Sequence, residues 1–172
     1  MFSTTFSHTS STELDPSISN EDIIALLHDF GPIIHTNPDC KDYKKAEVDP
    51  KDATIPEGAV VYDCQDALTF VPKGFWDGGV WYKAIYLPLP DGCDITVKAP
   101  AGFTSYNKWR LTVDGEGSKS LSIESDATCN RTFAYLVQRF TPRSFERQLE
   151  SFKKQLKERV SDTTGQGTQP AQ

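Results

Sequence analysis

The residue of this sequence best suited to acid–base chemistry is Asp66, because it interrupts an otherwise apolar pattern. Residues 60–70 alternate as a β-strand does, and one face of that strand carries Val60, Tyr62, Cys64, Asp66, Leu68 and Phe70. A carboxylate on a face that points into a fold is partly desolvated, which raises its pKa toward the range useful for a general acid or base. The alternative is that Asp66 caps a turn or pairs with an arginine or lysine, since structural ion pairs also perturb carboxylates.

Two further polar groups are predicted to point into the same interior. Tyr82 shares a strand face with Tyr86, and a buried tyrosine offers a flat wall and one hydroxyl, which suits gripping a carbonyl or orienting a diene. Asn107 lies on an inward face of a later strand, where its amide could donate a hydrogen bond to a ligand oxygen. The alternatives are core packing for the tyrosines and a strand end or bulge for Asn107. We predict Asp66, Tyr82 and Asn107 as the candidate catalytic residues.

An apolar wall is predicted around these groups. Small side chains such as that of Ser125 leave room for a ligand on the last strand, unless the final helix packs close there. Trp109 is more often a core anchor than a ligand platform. The predicted substrate-binding residues are Tyr62, Phe70, Tyr86, Phe103, Trp109, Ser125, Phe145, Leu149 and Phe152.

The residue spacing does not support nucleophilic or metal-dependent chemistry. The histidines are His8, His28 and His35, and no Ser-His-Asp or Cys-His order is convincing. His28 falls one residue past the apolar stripe of its helix and is predicted to face solvent. The four cysteines form no C-x-x-C pair, so we expect reduced thiols, and we expect no metal and no cofactor.

Composition restricts the expected partners. The chain of 172 residues has a formal net charge of -6, which argues against a nucleic-acid partner. No apolar run is long enough to span a membrane, and the Ser- and Thr-rich N-terminus lacks the features of a secretory signal. We therefore expect a cytoplasmic monomer or homodimer whose partner is a hydrophobic small molecule.

The first half of the chain reads as a strand, two short helices and the start of a sheet. A strand is predicted over residues 2–14, followed by a helix that is capped by Ser19 or Asn20 and stopped by Gly31-Pro32. A short helical turn follows at residues 33–36. Further strands are predicted at residues 40–48, 60–70, 80–87, 93–99, 103–113 and 121–129.

One long amphipathic helix is predicted after the strands. Thr141 suits its N-cap and Pro142 its first residue, while Arg131 is predicted to point inward from the strand before it. Residues 161–172 are predicted to be a disordered tail. The apolar stripe of the helix consists of Phe145, Leu149, Phe152, Leu156 and Val160.

These elements predict an α+β fold with a hollow interior. Short turns make successive strands antiparallel, and a sheet of about seven strands curls. The final helix has the only apolar stripe broad enough to cover the concave face. A bowed sheet and a straight helix that meet only at their margins leave a hollow, where we expect an apolar ligand.

The element order resembles the helix-grip fold, which START lipid-transfer domains, polyketide cyclases and birch-pollen-type allergens share (the SRPBCC superfamily). Short segments are similar to a fungal family of that superfamily, and the resemblance makes residues 1–160 a single helix-grip domain. Most of these segments are turns and strand centres. They are Asn37-Pro38, Val61-Tyr62 with Asp66, Phe70-Val71-Pro72, Val80-Trp81-Tyr82-Lys83-Ala84, Leu89-Pro90-Asp91-Gly92, Ala99-Pro100-Ala101-Gly102, Lys108-Trp109 and Cys129-Asn130.

The resemblance implies a function that the residue spacing does not show. It implies a cofactor-independent enzyme of fungal natural-product biosynthesis that binds an apolar polyketide or terpenoid intermediate. The implied reaction is a cyclisation, a Diels–Alder-type cycloaddition or an isomerisation. His35 would then border the cavity mouth, although loop histidines are usually solvated. The alternatives are a carrier for a lipid or another hydrophobic molecule, and an interaction protein with a filled core.

Overall fold

The computed structural model describes residues 3–48, 52–67, 78–100 and 102–165. This part of the chain contains seven strands and three helices. The predicted α+β class and the order of elements are confirmed. The helices are α1 (Asn20–Leu27), α2 (Phe30–Thr36) and α3 (Arg131–Gly165). The strands are β1 (Ser3–Leu14), β2 (Cys40–Lys45), β3 (Val60–Asp66), β4 (Val80–Leu89), β5 (Gly92–Ala99), β6 (Phe103–Val113) and β7 (Lys119–Asn130).

The sheet is antiparallel throughout, in the order β1-β7-β6-β5-β4-β3-β2. Strands β2 to β7 follow one another as neighbours, and those from β4 to β7 are joined by the short turns that predict antiparallel pairing. The first strand pairs with the last, so β1 and β2 form the two edges. One side of the sheet, which we call the inner face, packs against the helices, and the other is the outer face.

A packed core fills the interior at the end of the sheet where β4 turns into β5. Trp109 of β6 and Phe152 of α3 have 1% and 0% of their surface exposed, and their ring centroids lie 6.2 Å apart. The predicted apolar stripe of the last helix is confirmed, because four of its members are buried and Val160 packs at their margin. Other fully buried side chains in this core are Ile23, Leu26, Leu27, Leu121, Ile123, Leu149 and Leu156.

The start of the long helix differs from the prediction. α3 begins at Arg131, which is exposed, so Thr141 and Pro142 lie inside the helix. The hydroxyl of Thr141 donates to the carbonyl of Val137 at 2.7 Å, whereas an N-cap side chain accepts from a backbone N–H. Pro142 cannot donate to the helix ladder, and its ring crowds the carbonyl four residues earlier, so its place inside α3 costs stability locally.

The end of α3 also differs from the prediction. The helix continues to Gly165, so the first residues of the predicted tail are helical. Residues 166–172 lie outside the described part of the chain, as do positions 68–70 of the predicted third strand.

The start of α1 and the end of α2 follow the prediction, whereas the end of α1 and the start of α2 do not. Ser19 is the N-cap of α1, and its hydroxyl accepts from the backbone N–H of Asp22 at 3.0 Å, as predicted. Gly31-Pro32 does not end α1, which stops at Leu27; these two residues form the first turn of α2. A proline is accepted there because a first-turn residue has no N–H partner within the helix.

His28 does not face solvent, contrary to the prediction. Its Nε2 lies 2.9 Å from the carbonyl oxygen of Leu89 and 3.0 Å from that of Gly92. The ring therefore ties the end of α1 to the turn between β4 and β5. Position along the helix could not reveal this, because the partner carbonyls belong to a distant turn.

Candidate functional site

Asp66 lies at the end of β3 and accepts two hydrogen bonds, one on each carboxylate oxygen. The hydroxyl of Tyr82 donates to Oδ1 at 3.0 Å, and Nδ2 of Asn37 donates to Oδ2 at 2.7 Å. Asp66 and Tyr82, two of the three predicted catalytic residues, are thus in direct contact. We call Asp66, Tyr82 and Asn37 the Asp66 network.

Asn37 enters this network through its position at the end of α2. It is the C-cap residue of that helix, and its Oδ1 accepts from the backbone N–H of Asp39 at 3.1 Å. This bond fixes the orientation of the amide, so that Nδ2 points at the carboxylate. The backbone N–H of Ala67 donates to the carbonyl of Asp39 at 2.7 Å, which ties the same turn to the end of β3.

Burial controls the proton affinity of Asp66. Desolvation raises the pKa of its carboxyl above the ordinary 3.8, against the lowering effect of the hydrogen bonds from Tyr82 and Asn37, and the charge of Asp39 adds to the increase. Burial, together with the charge of Asp66, raises the pKa of Tyr82. The tyrosine therefore keeps its proton, and Asp66 is the member of the network that titrates. Such a pair can accept and return a proton.

The inner face changes character along its length. At the packed core, side chains from the sheet and from α3 fill the space, so the prediction that the two meet only at their margins is wrong there. Toward the end where α3 begins, several of the described side chains that are buried on the inner face are small: Ala84, Ser105, Ala127 and Cys129. The strand register puts Asp66 and Tyr82 at this second end, which we call the Asp66 end.

A surface groove opens beside the network, between the end of α2 and the middle of α3. Its volume is about 340 Å³. Thr36 and Pro38, which flank Asn37 in sequence, form one side of it. Across the groove, Nη1 of Arg147 lies 3.9 Å from Oδ2 of Asp39. The full lining is Thr36, Pro38, Glu146, Arg147, Glu150 and Ser151.

Asn107, the third predicted catalytic residue, lies away from the other two. Strands β4 and β5 separate it from Asp66, and 6% of its surface is exposed. Its Nδ2 donates to the carbonyl of Ile95 at 3.3 Å and to Oγ of Ser105 at 3.1 Å. Its Oδ1 is buried without a hydrogen-bond partner among the described residues. The amide donor that was predicted to hold a ligand oxygen is thus already engaged by the protein.

The predicted binding residues are spread over both ends of the inner face. Tyr86 contacts Tyr62 and Phe30, with ring centroids 5.7 Å and 5.0 Å apart. Trp109, Leu149 and Phe152 lie in the packed core. Ser125 is buried between the two ends, Phe103 is half-buried near the Asp66 end, and Phe145 stacks on His8. Phe70 lies outside the described residues.

His35, which the resemblance links to a cavity mouth, is exposed on α2 and meets the ring of Tyr43 edge to face at 5.1 Å. The ring of Tyr43 in turn lies beside that of Tyr62, with the two centroids 6.0 Å apart. His35 therefore sits at the outer end of a chain of aromatic rings that runs from the surface toward Tyr86.

The described residues offer neither a metal site nor a membrane-spanning helix. Within the described ranges, no three His, Cys, Asp or Glu residues are grouped closely enough to hold a metal ion. The same part of the chain contains no helix both long and apolar enough to cross a membrane. All four cysteines are free, as predicted, and burial raises the pKa of Cys64 and of Cys93 to about 12.

Sequence comparison identifies the family. A family profile described as a domain of unknown function (DUF7053) matches residues 3–160. The chain belongs to this family. A comparison with curated proteins gives no significant match.

Solved structures show which fold the family has. The di-domain aromatase/cyclase StfQ of the steffimycin biosynthetic pathway is similar with a TM-score of 0.65 and 13% identity, over 91% of this chain and 52% of StfQ. The chain thus spans about half the length of that protein. The ZhuI aromatase/cyclase from Streptomyces sp. R1128 has a TM-score of 0.63 and 11% identity, over 92% of this chain and 96% of ZhuI.

A START superfamily protein from Mycobacterium smegmatis has a TM-score of 0.61 and 11% identity, over 88% of this chain and 97% of that protein. The three likenesses confirm the predicted START-type helix-grip fold. At such low identities they concern the fold alone.

Asn37 is the site residue that the sequence analysis missed. From the sequence, Asn37-Pro38 marks only a segment similar to the fungal family, because a local pattern says nothing about the contacts of an asparagine amide. The available signal was weak: an asparagine at a C-cap keeps a side chain with two N–H donors.

Proposed function

We propose that this domain is a cofactor-independent enzyme that binds an apolar polyketide or terpenoid intermediate at the Asp66 end and promotes ring closure or isomerisation by proton transfer. The observation that supports this most directly is Asp66 itself, a carboxylate with two oriented donors and a pKa raised by burial. A base of raised pKa takes a proton from carbon more effectively than an exposed aspartate does. The small side chains nearby suit a ligand better than the packed core does.

In the proposed step, Asp66 takes a proton from the carbon next to a substrate carbonyl, and the C–H electron pair forms an enolate. The protonated carboxyl needs one donor fewer, so Tyr82 turns its O–H toward the enolate oxygen. The enolate carbon attacks a second carbonyl of the same molecule and forms the ring bond. The resulting alkoxide then takes the proton back from Asp66, so no outside oxidant or reductant is needed.

The network favours this route over a Diels–Alder-type cycloaddition. A cycloaddition needs orientation and desolvation but no proton transfer, so it gives Asp66 no part. The likeness to aromatase/cyclases supports ring closure in general. From the resemblance to the fungal helix-grip family we further propose a role in fungal natural-product biosynthesis, as a cytoplasmic monomer or homodimer.

Exchange of α-protons tests the proposal without knowledge of the natural substrate. The probe is 2-acetonaphthone in D₂O, and proton NMR follows the loss of its methyl signal. The wild type should accelerate exchange over buffer, and Asp66→Asn should lower that acceleration by about 10²-fold or more. Glu124→Gln, which changes an exposed carboxylate on β7, is the matched control and should leave the rate unchanged.

Two results of this assay would contradict the proposal. A wild-type rate equal to that of buffer argues against an enzyme of this kind. An Asp66→Asn rate equal to that of the wild type argues against Asp66 as the base. The pH profile adds a third check: the rate should fall as pH drops through the raised pKa of Asp66, because the protonated carboxyl cannot accept a proton.

A second candidate function is a carrier for a lipid or another hydrophobic molecule, without turnover. It is favoured by the fact that both oxygens of Asp66 are already held by donors of the protein, as in a structural carboxylate. Native mass spectrometry of freshly purified protein distinguishes the two functions. An apolar molecule that is retained and released unaltered, with no acceleration of exchange, supports the carrier.

A further inference from the structure

The outer face of the sheet carries a row of charged side chains that the proposed function does not use. Lys44, Asp63, Lys83 and Lys98 stand on β2, β3, β4 and β5, each directly opposite the next. Side chains alternate between the faces of a strand, so this row lies opposite to the inward-facing Tyr82. We call it the lysine row.

The lysine row brings two like charges face to face. Lys83 and Lys98 are direct cross-strand partners, an arrangement that destabilises a sheet because the ammonium groups repel each other. Asp63 holds Lys83 in an ion pair at 2.9 Å, while Thr54 accepts a hydrogen bond from Lys98 at 3.4 Å. Asp52, which accepts hydrogen bonds from that threonine, adds a negative charge near Lys98. The row itself still has one carboxylate for three ammonium groups.

An exposed tryptophan stands beside the lysine row. Trp81 of β4 has 44% of its surface exposed, and Nζ of Lys44 lies 5.7 Å from its ring centroid. The lysine row, Trp81, Tyr82 and Pro100 line an open depression of about 630 Å³. The depression therefore combines positive charge, a flat aromatic wall and enough room for a ligand.

We propose that this depression binds a small anion that carries a flat ring, such as an aromatic carboxylate or phosphate ester. The ring stacks on Trp81, and the acidic group lies between Lys83 and Lys98. A bound anion removes the repulsion between these two lysines, which gives a reason for their placement in a chain of net charge -6.

The lysine row lies on the outer face of the sheet, whereas Asp66 belongs to the inner face. Tyr82 lines the depression and also belongs to the Asp66 network, so it is left unchanged in the tests below. Binding at the lysine row does not depend on any activity of Asp66.

Isothermal titration calorimetry with 2-naphthoate tests the chemical class of the ligand. Cyclohexanecarboxylate has the same charge without an aromatic ring, and 2-naphthol has the ring without the charge at neutral pH. Naphthoate should bind more tightly than either compound, and added salt should weaken it. Failure of naphthoate to bind, or equal affinity for cyclohexanecarboxylate, overturns the proposal.

Substitutions then locate the site. Trp81→Leu and Lys98→Ser should each weaken naphthoate binding about tenfold, and both residues are exposed enough for the fold to survive. Lys108→Ser is the matched control, because Nζ of Lys108 also lies 5.7 Å from an exposed aromatic ring, that of Tyr106, outside the depression. Its affinity should equal that of the wild type.

The remaining outcomes all count against the proposal. The proposal is wrong if Lys98→Ser binds naphthoate as tightly as the wild type does. It is also wrong if Lys108→Ser loses as much naphthoate affinity as Lys98→Ser. Weakening by Asp66→Asn but not by Lys98→Ser puts the probe on the inner face. Sedimentation with phosphatidylserine vesicles covers the membrane alternative: binding to vesicles without binding to naphthoate means that the row contacts anionic lipid instead.

Discussion

Tyr82→Phe should destabilise the protein by an amount that depends on pH. The substitution removes one hydroxyl, which donates to the Asp66 carboxylate at 3.0 Å, and leaves the ring in place. Asn37 then remains as the donor described for that carboxylate. A hydrogen bond to a charged group contributes about 1.5–3 kcal/mol and one to a neutral group about 0.5–1.5 kcal/mol. The cost should therefore be about 2 kcal/mol where Asp66 is ionised and about 1 kcal/mol where it is protonated.

The sign of the pH effect follows from the raised pKa. The folded-state pKa of Asp66 lies above the ordinary 3.8, so the folded protein binds this proton more tightly than the unfolded chain does. Stability from this group is greatest below 3.8 and falls as pH rises through the folded-state pKa. Tyr82→Phe removes an interaction that lowers that pKa, so the fall becomes larger and the gap to the wild type widens with pH.

Urea unfolding followed by circular dichroism, from about pH 3 to about pH 8, measures this gap directly. Tyr86→Phe is the matched control, because Tyr86 lies on the same face of β4 and packs against Phe30 and Tyr62. In an Asp66→Asn background, the cost of Tyr82→Phe should lose its pH dependence. A cost that is the same at every pH, or a control that widens in the same way, would refute the reasoning.

Two further predictions concern the packed core and the α1 contact. Phe152→Ala should lower the free energy of unfolding by about 3–5 kcal/mol, because the Phe152 ring is fully buried against Trp109. Urea titration measures this loss. Val113→Ala is the control in the same titration, and it should cost less than about 0.5 kcal/mol because Val113 is 43% exposed. His28→Ala should lower the free energy of unfolding by about 1–2 kcal/mol, because the carbonyls of Leu89 and Gly92 lose their contact with the ring. Amide hydrogen exchange in the β4–β5 turn should become faster. Unchanged exchange in that turn would show that His28 does not hold it.

Strand and helix patterns were sufficient for most of the fold. Alternation in β6 and β7 and the stripe on α3 predicted which residues are buried, because a side chain's face depends on the local backbone period. Ser19 was predicted as a cap for the same reason, since its bond to Asp22 spans a single turn. These features need no knowledge of the partner element.

Features that depend on distant contacts were not predicted. Thr141-Pro142 looks like a helix start in isolation, yet the helix begins at Arg131, directly after β7. The position of His28 beside the apolar stripe predicts a solvent-facing side chain. Its partner carbonyls lie 61 and 64 residues away in sequence, so no local pattern indicates them. For His28, a contact that forms only when the chain is folded overrides the local preference.

The sequence by itself determined that Asp66 interrupts an apolar strand face and that a long helix covers the sheet. Only the tertiary structure decided that Tyr82 and Asn37 meet on that carboxylate, 16 and 29 residues away, and that side chains fill one end of the interior. The reason is physical: periodicity determines the direction of a side chain, whereas the curvature of the sheet and the seating of the helix determine the distances between side chains.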